Sequence, residues 1–430
     1  MNPDQMQQSF DECQELVMAG EYETAARQLT DILGYVSHPL VANLLGFCLQ
    51  RMRRFEKAER VWIEALKDDP NCVPVLANLA NIFRERHRFA PARELLDHAL
   101  SCKPYNFQAL HNRAVLAMDE GEFAMAHDLS SRACELKDDD ACNHTLSLAK
   151  LQIGDFDGGL SLYGSRHSIF NRETPPLPKY EGGEAKLIIR QEQGFGDTLM
   201  AARWFPKLQE MGADVYLSAP KPLERILERS GLCKIDDGET DDYTHFMYTM
   251  DTMPMFWGQT DGEAYLRADP ADVERYAKRL GGGKRVGICY SGGCRPDDPA
   301  AFQIDRRRSM SPSEAMQIVR MRPDFDWINL TREWGLPGVA DFGSEVSDFA
   351  EMAGLISNLD LVITVDTALA HLAGGLGVDT IMLSRFDACW RWYPYTQQTQ
   401  LYRSMSCLYQ PEPFDWQSVI DELQVDLEAM

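Results

Sequence analysis

The sequence lacks the features that mark secreted, membrane-spanning and disulfide-linked proteins. No uncharged apolar run reaches membrane-spanning length, because the apolar segment 361–377 carries Asp366 and His371. The first twenty residues have neither a basic start nor an apolar core, so no signal peptide is expected. The 11 cysteines are odd in number and form no CxxC pair. These absences predict a cytoplasmic protein with reduced thiols and no membrane span.

Basic residues are also scarce. The chain has 43 Lys and Arg against 66 Asp and Glu, a formal net charge of −23, which argues against a general nucleic-acid or anionic-membrane binder. Aspartate pairs at 236–237, 241–242 and 297–298 lie in polar segments. Because no His, Asp and Glu set has the spacing of metal ligands, we interpret these pairs as solvated and predict no metal site.

What is present first is a repeat. Small residues recur every 34 residues, at Gly46, Ala80 and Ala114, with large residues such as Trp62 and Leu96 between them. Small residues at fixed helical spacing let paired helices approach closely. The pattern resembles the tetratricopeptide repeat and predicts about four to five helix pairs over residues 3–168. Such arrays present a concave face to a protein or peptide, although a spacer or a surface for homo-oligomers is the alternative.

After the repeats the pattern changes to alternating strands and helices. Residues 169–184, rich in Pro, Gly and charge, are predicted to be a linker. Short apolar strands then alternate with helices over residues 185–270 and 284–414, and residues 415–430 form a last amphipathic helix. A βαβα order implies parallel sheets. The expected fold class is α + α/β: a helical solenoid followed by two Rossmann-like domains that face a cleft.

The first candidate site is the turn Gly194-Phe195-Gly196-Asp197, which follows a predicted strand and opens a helix expected over 198–211. The glycines permit a tight turn and a close backbone approach. Asp197 is either a general base that accepts a proton from an acceptor hydroxyl or only a cap of the helix. A third glycine is missing, so the turn is not a dinucleotide fingerprint.

The second candidate site combines a Gly-rich turn with arginines. Ser291-Gly292-Gly293 ends a predicted strand, and a long polar loop expected over 294–309 carries Arg306 and Arg308. A turn of this kind with guanidinium groups suits a diphosphate, since arginine can donate to two phosphate oxygens. The alternative is a solvated run of charge on a loop.

The third candidate site is Asp366-Thr367-Ala368, with His371 one helical turn further on. A buried strand over 361–365 precedes it, and Thr367 is a good N-cap for the next helix. The carboxyl end of a parallel strand and the start of a helix together favour a phosphate. An ordinary strand–helix corner, with His371 as a core histidine, is the alternative.

A cluster of aromatic residues is the last candidate. Trp390-Arg391-Trp392-Tyr393-Pro394 either stacks on a base or sugar or anchors the packing of the domain.

Together these segments resemble a known family. The motifs that carry the resemblance are, in order, residues 192–198 (EQGFGDT), 305–309 (DRRRS), 366–374 (DTALAHLAG) and 390–394 (WRWYP). The chain is similar to bacterial tetratricopeptide-repeat proteins that carry a glycosyltransferase domain of the ADP-heptose, or lipopolysaccharide heptosyltransferase, type. Its layout is also similar to that of O-GlcNAc transferase.

The resemblance implies a GT-B fold and an inverting, metal-independent transfer from a nucleotide-sugar, which is a substrate and not a cofactor. It implies Asp197 as the base, Thr367 and Ala368 on phosphate, Asp366 on sugar hydroxyls, and Arg306 or Arg308 on the departing nucleoside diphosphate. The wider donor-binding set would add Gly194, Gly196, Ser291, Gly292, His371, Arg391 and Trp392.

The expected partners are the nucleotide-sugar donor and a protein or peptide acceptor recruited by the concave face of the repeats. Two alternatives stay open at this point. One is a catalytically inactive repeat scaffold. The other is a transferase that acts on a glycan or lipid-linked sugar, with the repeats serving oligomerisation.

Overall fold

The computed structural model describes residues 3–169, 175–239, 242–293, 299–392, 396 and 398–430. Residues 170–174 of the predicted linker, 294–298 of the predicted polar loop, Asp241 and the Tyr393-Pro394 pair lie outside these ranges. The chain divides into two compact units, Met1–Phe170 and Asn171–Met430.

The first unit is an array of helices, and each helix from the first to the ninth packs on the next along the chain. Its helices are α1 (Pro3–Met18), α2 (Tyr22–Leu33), α3 (Pro39–Arg51), α4 (Phe55–Asp68), α5 (Val73–Glu85), α6 (Phe89–Cys102), α7 (Phe107–Asp119), α8 (Phe123–Leu136), α9 (Asp140–Gln152), α10 (Phe156–Leu162) and α11 (Arg166–Ile169). The first helices of successive pairs also pack on one another and so form one continuous layer. The predicted solenoid of helix pairs is confirmed.

The recurring small residues explain the close packing within these pairs. Ala58, Ala92 and Ala126, one period apart, are fully buried. A Cβ atom on Gly46 would overlap the indole ring of Trp62. The indole nitrogen of Trp62 donates to the backbone oxygen of Asn43 at 3.2 Å, so the ring crosses from α4 onto α3. A small residue is therefore needed where a large one arrives from the paired helix.

The second unit holds two parallel sheets. The first has the order β3-β2-β1-β4, and its register runs from Ala185 opposite Ala213 to Arg190 opposite Ser218. The elements of this part of the chain are β1 (Ala185–Arg190), α12 (Phe195–Ala202), α13 (Phe205–Glu210), β2 (Ala213–Ser218), α14 (Lys221–Arg229), β3 (Lys234–Ile235), β4 (His245–Tyr248), α15 (Thr252–Phe256) and α16 (Pro270–Ala277). The parallel α/β architecture that the alternating pattern predicts is confirmed.

The second sheet has the order β10-β9-β8-β5-β6-β7, and all its strand pairs are parallel. Its elements are β5 (Arg285–Cys289), α17 (Pro299–Arg308), α18 (Pro312–Met321), β6 (Asp326–Asn329), β7 (Ala340–Asp341), α19 (Phe349–Ile356), β8 (Leu361–Val365), α20 (Ala368–Leu376), β9 (Thr380–Ser384), β10 (Met405–Tyr409) and α21 (Trp416–Glu428). The last helix buries Val419, Leu423 and Leu427 in the core of this sheet. Since both sheets fall within one compact unit, the predicted bounds of the two Rossmann-like domains stay a prediction.

Two local predictions were wrong. The helix expected over 198–211 is two helices, α12 and α13, because Pro206 has no backbone N–H to continue the first and instead occupies the first turn of the second. The polar loop expected over 294–309 holds α17, which ends at Arg308. A proline at the first helical position and the good helix formers after it favour a helix here, although the segment ends in a run of charged residues.

Within the described ranges, no helix is both long enough and apolar enough to cross a lipid bilayer.

Candidate functional site

The start of α20 forms one side of the candidate site. All five residues of β8 are buried, and the chain leaves the strand at Asp366. Thr367 is the N-cap of α20, and its hydroxyl accepts a hydrogen bond from the backbone N–H of Leu369 at 3.3 Å. Ala368 is the first helical residue. Because first-turn N–H groups have no acceptor within their own helix, they and the helix dipole favour an anion here.

The turn before α12 forms the opposite side. Gly194 is the N-cap of this helix, and its backbone N–H donates to Asp197 Oδ2 at 2.9 Å. The other oxygen, Oδ1, lies 3.0 Å from Arg391 Nη2. The side chain of Asp197 is 20% exposed and that of Arg391 is 12% exposed. The carboxylate is therefore held in a fixed orientation yet stays accessible.

Gly196 brings these two sides together. A Cβ atom at this position would lie 2.7 Å from His371 Cδ2 and 3.1 Å from the Cα of Ala368. The first distance is too short for any side chain and the second is tighter than most, so a residue larger than glycine would have to move the His371 ring or the helices α12 and α20 apart. The first and third candidate sites are thus one place in the structure, with Asp197 next to the contact.

His371 supports this contact from within. It is 6% exposed, its Nδ1 shares a hydrogen bond of 2.9 Å with the Tyr402 hydroxyl, and its ring stacks on Trp392 with centroids 4.6 Å apart. Burial holds the pKa of His371 well below its usual range, and the nearby Arg391 and Arg203 lower it further. A neutral imidazole packed in this way braces the helix, which is the core-histidine alternative.

Arg308 connects the second candidate site to the third. Its Nη1 donates to the backbone oxygen of Asp366 at 3.2 Å, and its Nη2 donates to Asp305 Oδ1 at 2.6 Å. A Cβ atom on Gly292 would lie 2.8 Å from the same Nη2. The guanidinium group therefore lies against the turn after β5 and reaches the end of β8, so a positive charge stands beside the start of α20.

The rest of the second candidate site is a small hydroxyl-rich turn. The backbone N–H of Gly292 donates to Ser309 Oγ at 3.2 Å, and Ser291 Oγ lies 3.4 Å from the same oxygen. Arg306 is exposed, whereas Arg307 pairs with Asp387 at 3.1 Å. Of the two predicted arginines, the structure brings only Arg308 to the turn.

The described part of the aromatic cluster, Trp390–Trp392, packs against its own domain. Trp390, Arg391 and Trp392 form one 3-10 turn, and Trp392 is only 1% exposed, with its ring packed against both His371 and Tyr402. Trp390 packs on Trp257, with ring centroids 4.9 Å apart. Both rings are buried, which favours the packing alternative, and the donor contact of Trp392 stays a prediction.

Three polar residues that the sequence reasoning did not select hold the site in place. Gln193 Oε1 accepts from Arg391 Nη2 at 2.8 Å, and Gln193 itself adopts a left-handed backbone conformation with φ of 59°. Buried Glu192 accepts from the backbone N–H of Met250 at 3.0 Å. Asp305 could have been found from its i,i+3 spacing to Arg308, once that segment was read as a helix.

No group of three His, Cys, Asp or Glu side chains among the described residues is arranged to hold a metal ion.

The second unit thus brings a carboxylate, an arginine and the start of a helix together where its parallel strands end. Residues 347–413 match the model of glycosyltransferase family 9 (heptosyltransferase). The segment includes β8, α20 and the Trp390–Trp392 turn. The chain therefore carries a domain of this glycosyltransferase type, as the sequence motifs predict.

One relative is similar over most of the chain. Protein FlbA of Caulobacter vibrioides is 24% identical over 416 residues, which cover 82% of this chain and 68% of that protein. Among solved structures, a tetratricopeptide-repeat protein of Thermus thermophilus is 17% identical and covers 39% of this chain and 93% of its own, with a TM-score of 0.35. PilW, a type IV pilus biogenesis factor, is 17% identical and covers 40% and 81%, with a TM-score of 0.36.

Proposed function

We propose that this protein is an inverting, metal-independent glycosyltransferase that moves a sugar from a nucleotide-sugar donor to a protein or peptide acceptor in the cytoplasm. The observation that carries the proposal is the contact at Gly196, which puts Asp197 beside the start of α20. A proton acceptor and an anion-binding helix start are the two groups that such a transfer needs at adjacent positions.

The proposed reaction is a single displacement. The acceptor hydroxyl oxygen forms a bond to the anomeric carbon while the bond from that carbon to the donor phosphate oxygen breaks, which inverts the carbon. Asp197 takes the hydroxyl proton. A carboxylate oxygen has two lone pairs, so the contact with Arg391 orients Asp197 without using its full capacity.

The leaving nucleoside diphosphate carries the charge that must be stabilised. Arg308 and the backbone N–H of Ala368 are the donors proposed for its phosphates, with Thr367 as the cap that fixes the helix start. Asp366 is proposed to accept from sugar hydroxyls. Preorganised donors of this kind are commonly the largest catalytic contribution, because they need no rearrangement as charge develops.

The acceptor is proposed to bind the repeats. The helices α1, α3, α5, α7 and α9 pack on one another in one layer, and stacked helix pairs of this type form extended binding surfaces. The ten cysteines among the described residues are free thiols, which suits the reducing cytoplasm. Mass spectrometry of proteins co-expressed with the enzyme should find a sugar adduct on a Ser, Thr or other nucleophilic side chain. An adduct found only on a glycan or lipid would replace the protein acceptor.

Turnover of a panel of nucleotide-sugars tests the assignment of Asp197. Asp197→Ala and Asp197→Asn should lower the turnover number by roughly 10²–10⁴, the usual contribution of a general base. Asp379→Asn changes an exposed aspartate outside the site and should leave the rate unchanged. Equal rates for wild type and Asp197→Ala would remove Asp197 as the base. Absence of any thermal shift with nucleoside diphosphates would favour an inactive scaffold.

A further inference from the structure

Gln193 adopts a backbone conformation that glutamine rarely takes. Its φ of 59° lies in the left-handed region, where a Cβ atom crowds the following carbonyl oxygen and raises the free energy of the folded chain. Glycine has no Cβ atom and adopts this conformation freely. A glutamine at this position therefore destabilises the fold relative to a glycine, which suggests that its side chain has a role of its own.

The residues before Gln193 hold it in this conformation. The side chain of Gln191 donates from Nε2 to the backbone oxygen of Gln193 at 2.8 Å. The backbone N–H of Glu192 donates to Thr249 Oγ1 at 3.2 Å, and Glu192 Oε1 accepts from the backbone N–H of Met250 at 3.0 Å. A strained backbone persists only where its surroundings fix it, and residues of this kind collect at functional sites.

The side chain of Gln193 reaches the arginine that contacts Asp197. A single guanidinium nitrogen, Arg391 Nη2, donates to Gln193 Oε1 at 2.8 Å and lies 3.0 Å from Asp197 Oδ1. Because this nitrogen carries two hydrogens, it can point one to each oxygen. Gln193 and Asp197 belong to one turn, whereas Arg391 lies in the 3-10 turn that follows β9. The bond to Gln193 therefore sets the direction from which Arg391 meets the carboxylate.

We propose that Gln193 is a positioning residue for Asp197 that acts through Arg391, and that its strained backbone is retained because the side chain orients the base. This inference rests on the proposed function, since it assigns a role in the same reaction. Cys389 and Trp390 also contact the Arg391 guanidinium, but they lie in the same segment as Arg391. Gln193 joins that segment to the turn of Asp197. A misplacement of about 1 Å can lower a rate roughly a hundredfold, so one such contact is sufficient to matter.

Three variants separate the side chain of Gln193 from its backbone. Gln193→Met keeps a side chain of similar length without an acceptor, Gln193→Gly removes both the acceptor and the strain, and Gln193→Glu keeps an oxygen that accepts from Arg391. Nucleotide-sugar turnover and urea unfolding of the full chain are measured for each. The Met and Gly variants should lower the turnover number roughly 10- to 100-fold, with a donor KM within about twofold of wild type.

The remaining expectations distinguish positioning from support of the fold. Gln193→Glu should keep a turnover number within roughly fivefold of wild type, because an acceptor for Arg391 remains. Gln193→Gly should unfold at a urea concentration no lower than wild type, because it relieves the strain at this residue. Activity should thus fall in this variant while stability does not.

Arg53→Gly is the matched control. Arg53 is exposed and has a φ of 58°, at a turn of the repeats where Gly121 stands two periods later with a φ of 74°. The substitution relieves the same kind of strain outside the site. It should leave both the turnover number and the KM unchanged.

The outcomes separate this inference from the function on which it rests. If wild type transfers sugar from none of the nucleotide-sugars, both are overturned. If wild type is active and Gln193→Met has the same turnover number, only the positioning role is overturned. A raised KM with an unchanged turnover number also overturns it, since Gln193 would then contact a substrate. So does a Gln193→Glu variant as slow as Gln193→Met, or a lower urea midpoint for Gln193→Gly, since the glutamine would then serve the fold.

Discussion

Gly196 shows how a single residue can decide the geometry of the site. Its missing side chain lets α12 contact α20 at His371 and Ala368, and this contact sets the position of Asp197. Protein interiors are packed densely, so an added methyl group at such a point moves backbone as well as side chains. The effect on catalysis should therefore exceed the effect on folding.

Gly196→Ala should lower stability by about 1–3 kcal/mol, the usual cost of overpacking, and should also reduce sugar transfer. Urea unfolding and nucleotide-sugar turnover measure the two effects. Gly282→Ala is the control, because nothing lies within 4 Å of a Cβ atom built there. If Gly196→Ala matches this control in both measurements, the contact does not position Asp197.

At this scale, the roles of residues that act through local structure can be predicted from the sequence. The roles of residues that depend on packing against distant elements cannot. Thr367 is an N-cap in both the pattern and the structure. The sequence did not allow a choice between Arg306 and Arg308, because the choice depends on α17. The run of charged residues had led us to expect a loop there. Two residues apart on a helix point roughly 200° apart, so only one of them can face the site. The burial of Trp392 likewise depends on its packing against His371 and Tyr402, which no local sequence pattern indicates.

At the scale of elements, the repeat pairs show compensation between two positions. Gly46 in α3 faces Trp62 in α4, and one period later the equivalent residues are Ala80 and Leu96. The smallest residue, glycine, thus faces tryptophan, and the slightly larger alanine is paired with the smaller leucine. The period alone predicts the helix pairs, because each repeat makes the equivalent contact with side chains of different size.

This compensation predicts a non-additive pair of substitutions. Gly46→Ala should destabilise the repeat unit by about 1–3 kcal/mol, because the added methyl group meets the Trp62 ring. Gly46→Ala combined with Trp62→Leu restores the combination found one repeat later. The double variant should therefore lose less unfolding free energy than the two single variants lose together, by on the order of 1 kcal/mol. A double-mutant cycle by urea unfolding measures this difference, and strict additivity would contradict the compensation.

For the whole molecule, one buried and two half-buried histidines are expected to contribute to the response to acid. Burial lowers the pKa of His111 and of His371, and burial together with the charge of Arg166 lowers the pKa of His144 to about 4. An unfolded histidine has a pKa of about 6.5. Below that pH the unfolded chain binds protons that the folded chain does not, so stability falls as the pH decreases. Above pH 6.5 the stability that comes from keeping these histidines neutral is fully present.

Unfolding free energy should therefore drop between pH 7.5 and pH 5, by on the order of 2 kcal/mol from His144 alone. Urea titrations at both pH values measure the change. His144→Gln should reduce the difference, because it removes the group that titrates, whereas His98→Gln, on an exposed part of α6, should retain the wild-type difference. If the unfolding free energy of His144→Gln and of His98→Gln falls equally between the two pH values, groups other than His144 cause the acid sensitivity.

The strand order has a consequence for dissecting the protein. The family match at 347–413 contains β8, β9 and β10, which are contiguous in the sheet, but omits β5, the partner on the other side of β8. It also stops before α21, which covers the core. Cutting the chain at these bounds would turn an interior strand with five buried residues into an open edge, the arrangement that favours aggregation. We therefore expect that the matched stretch does not fold independently of the rest of its sheet.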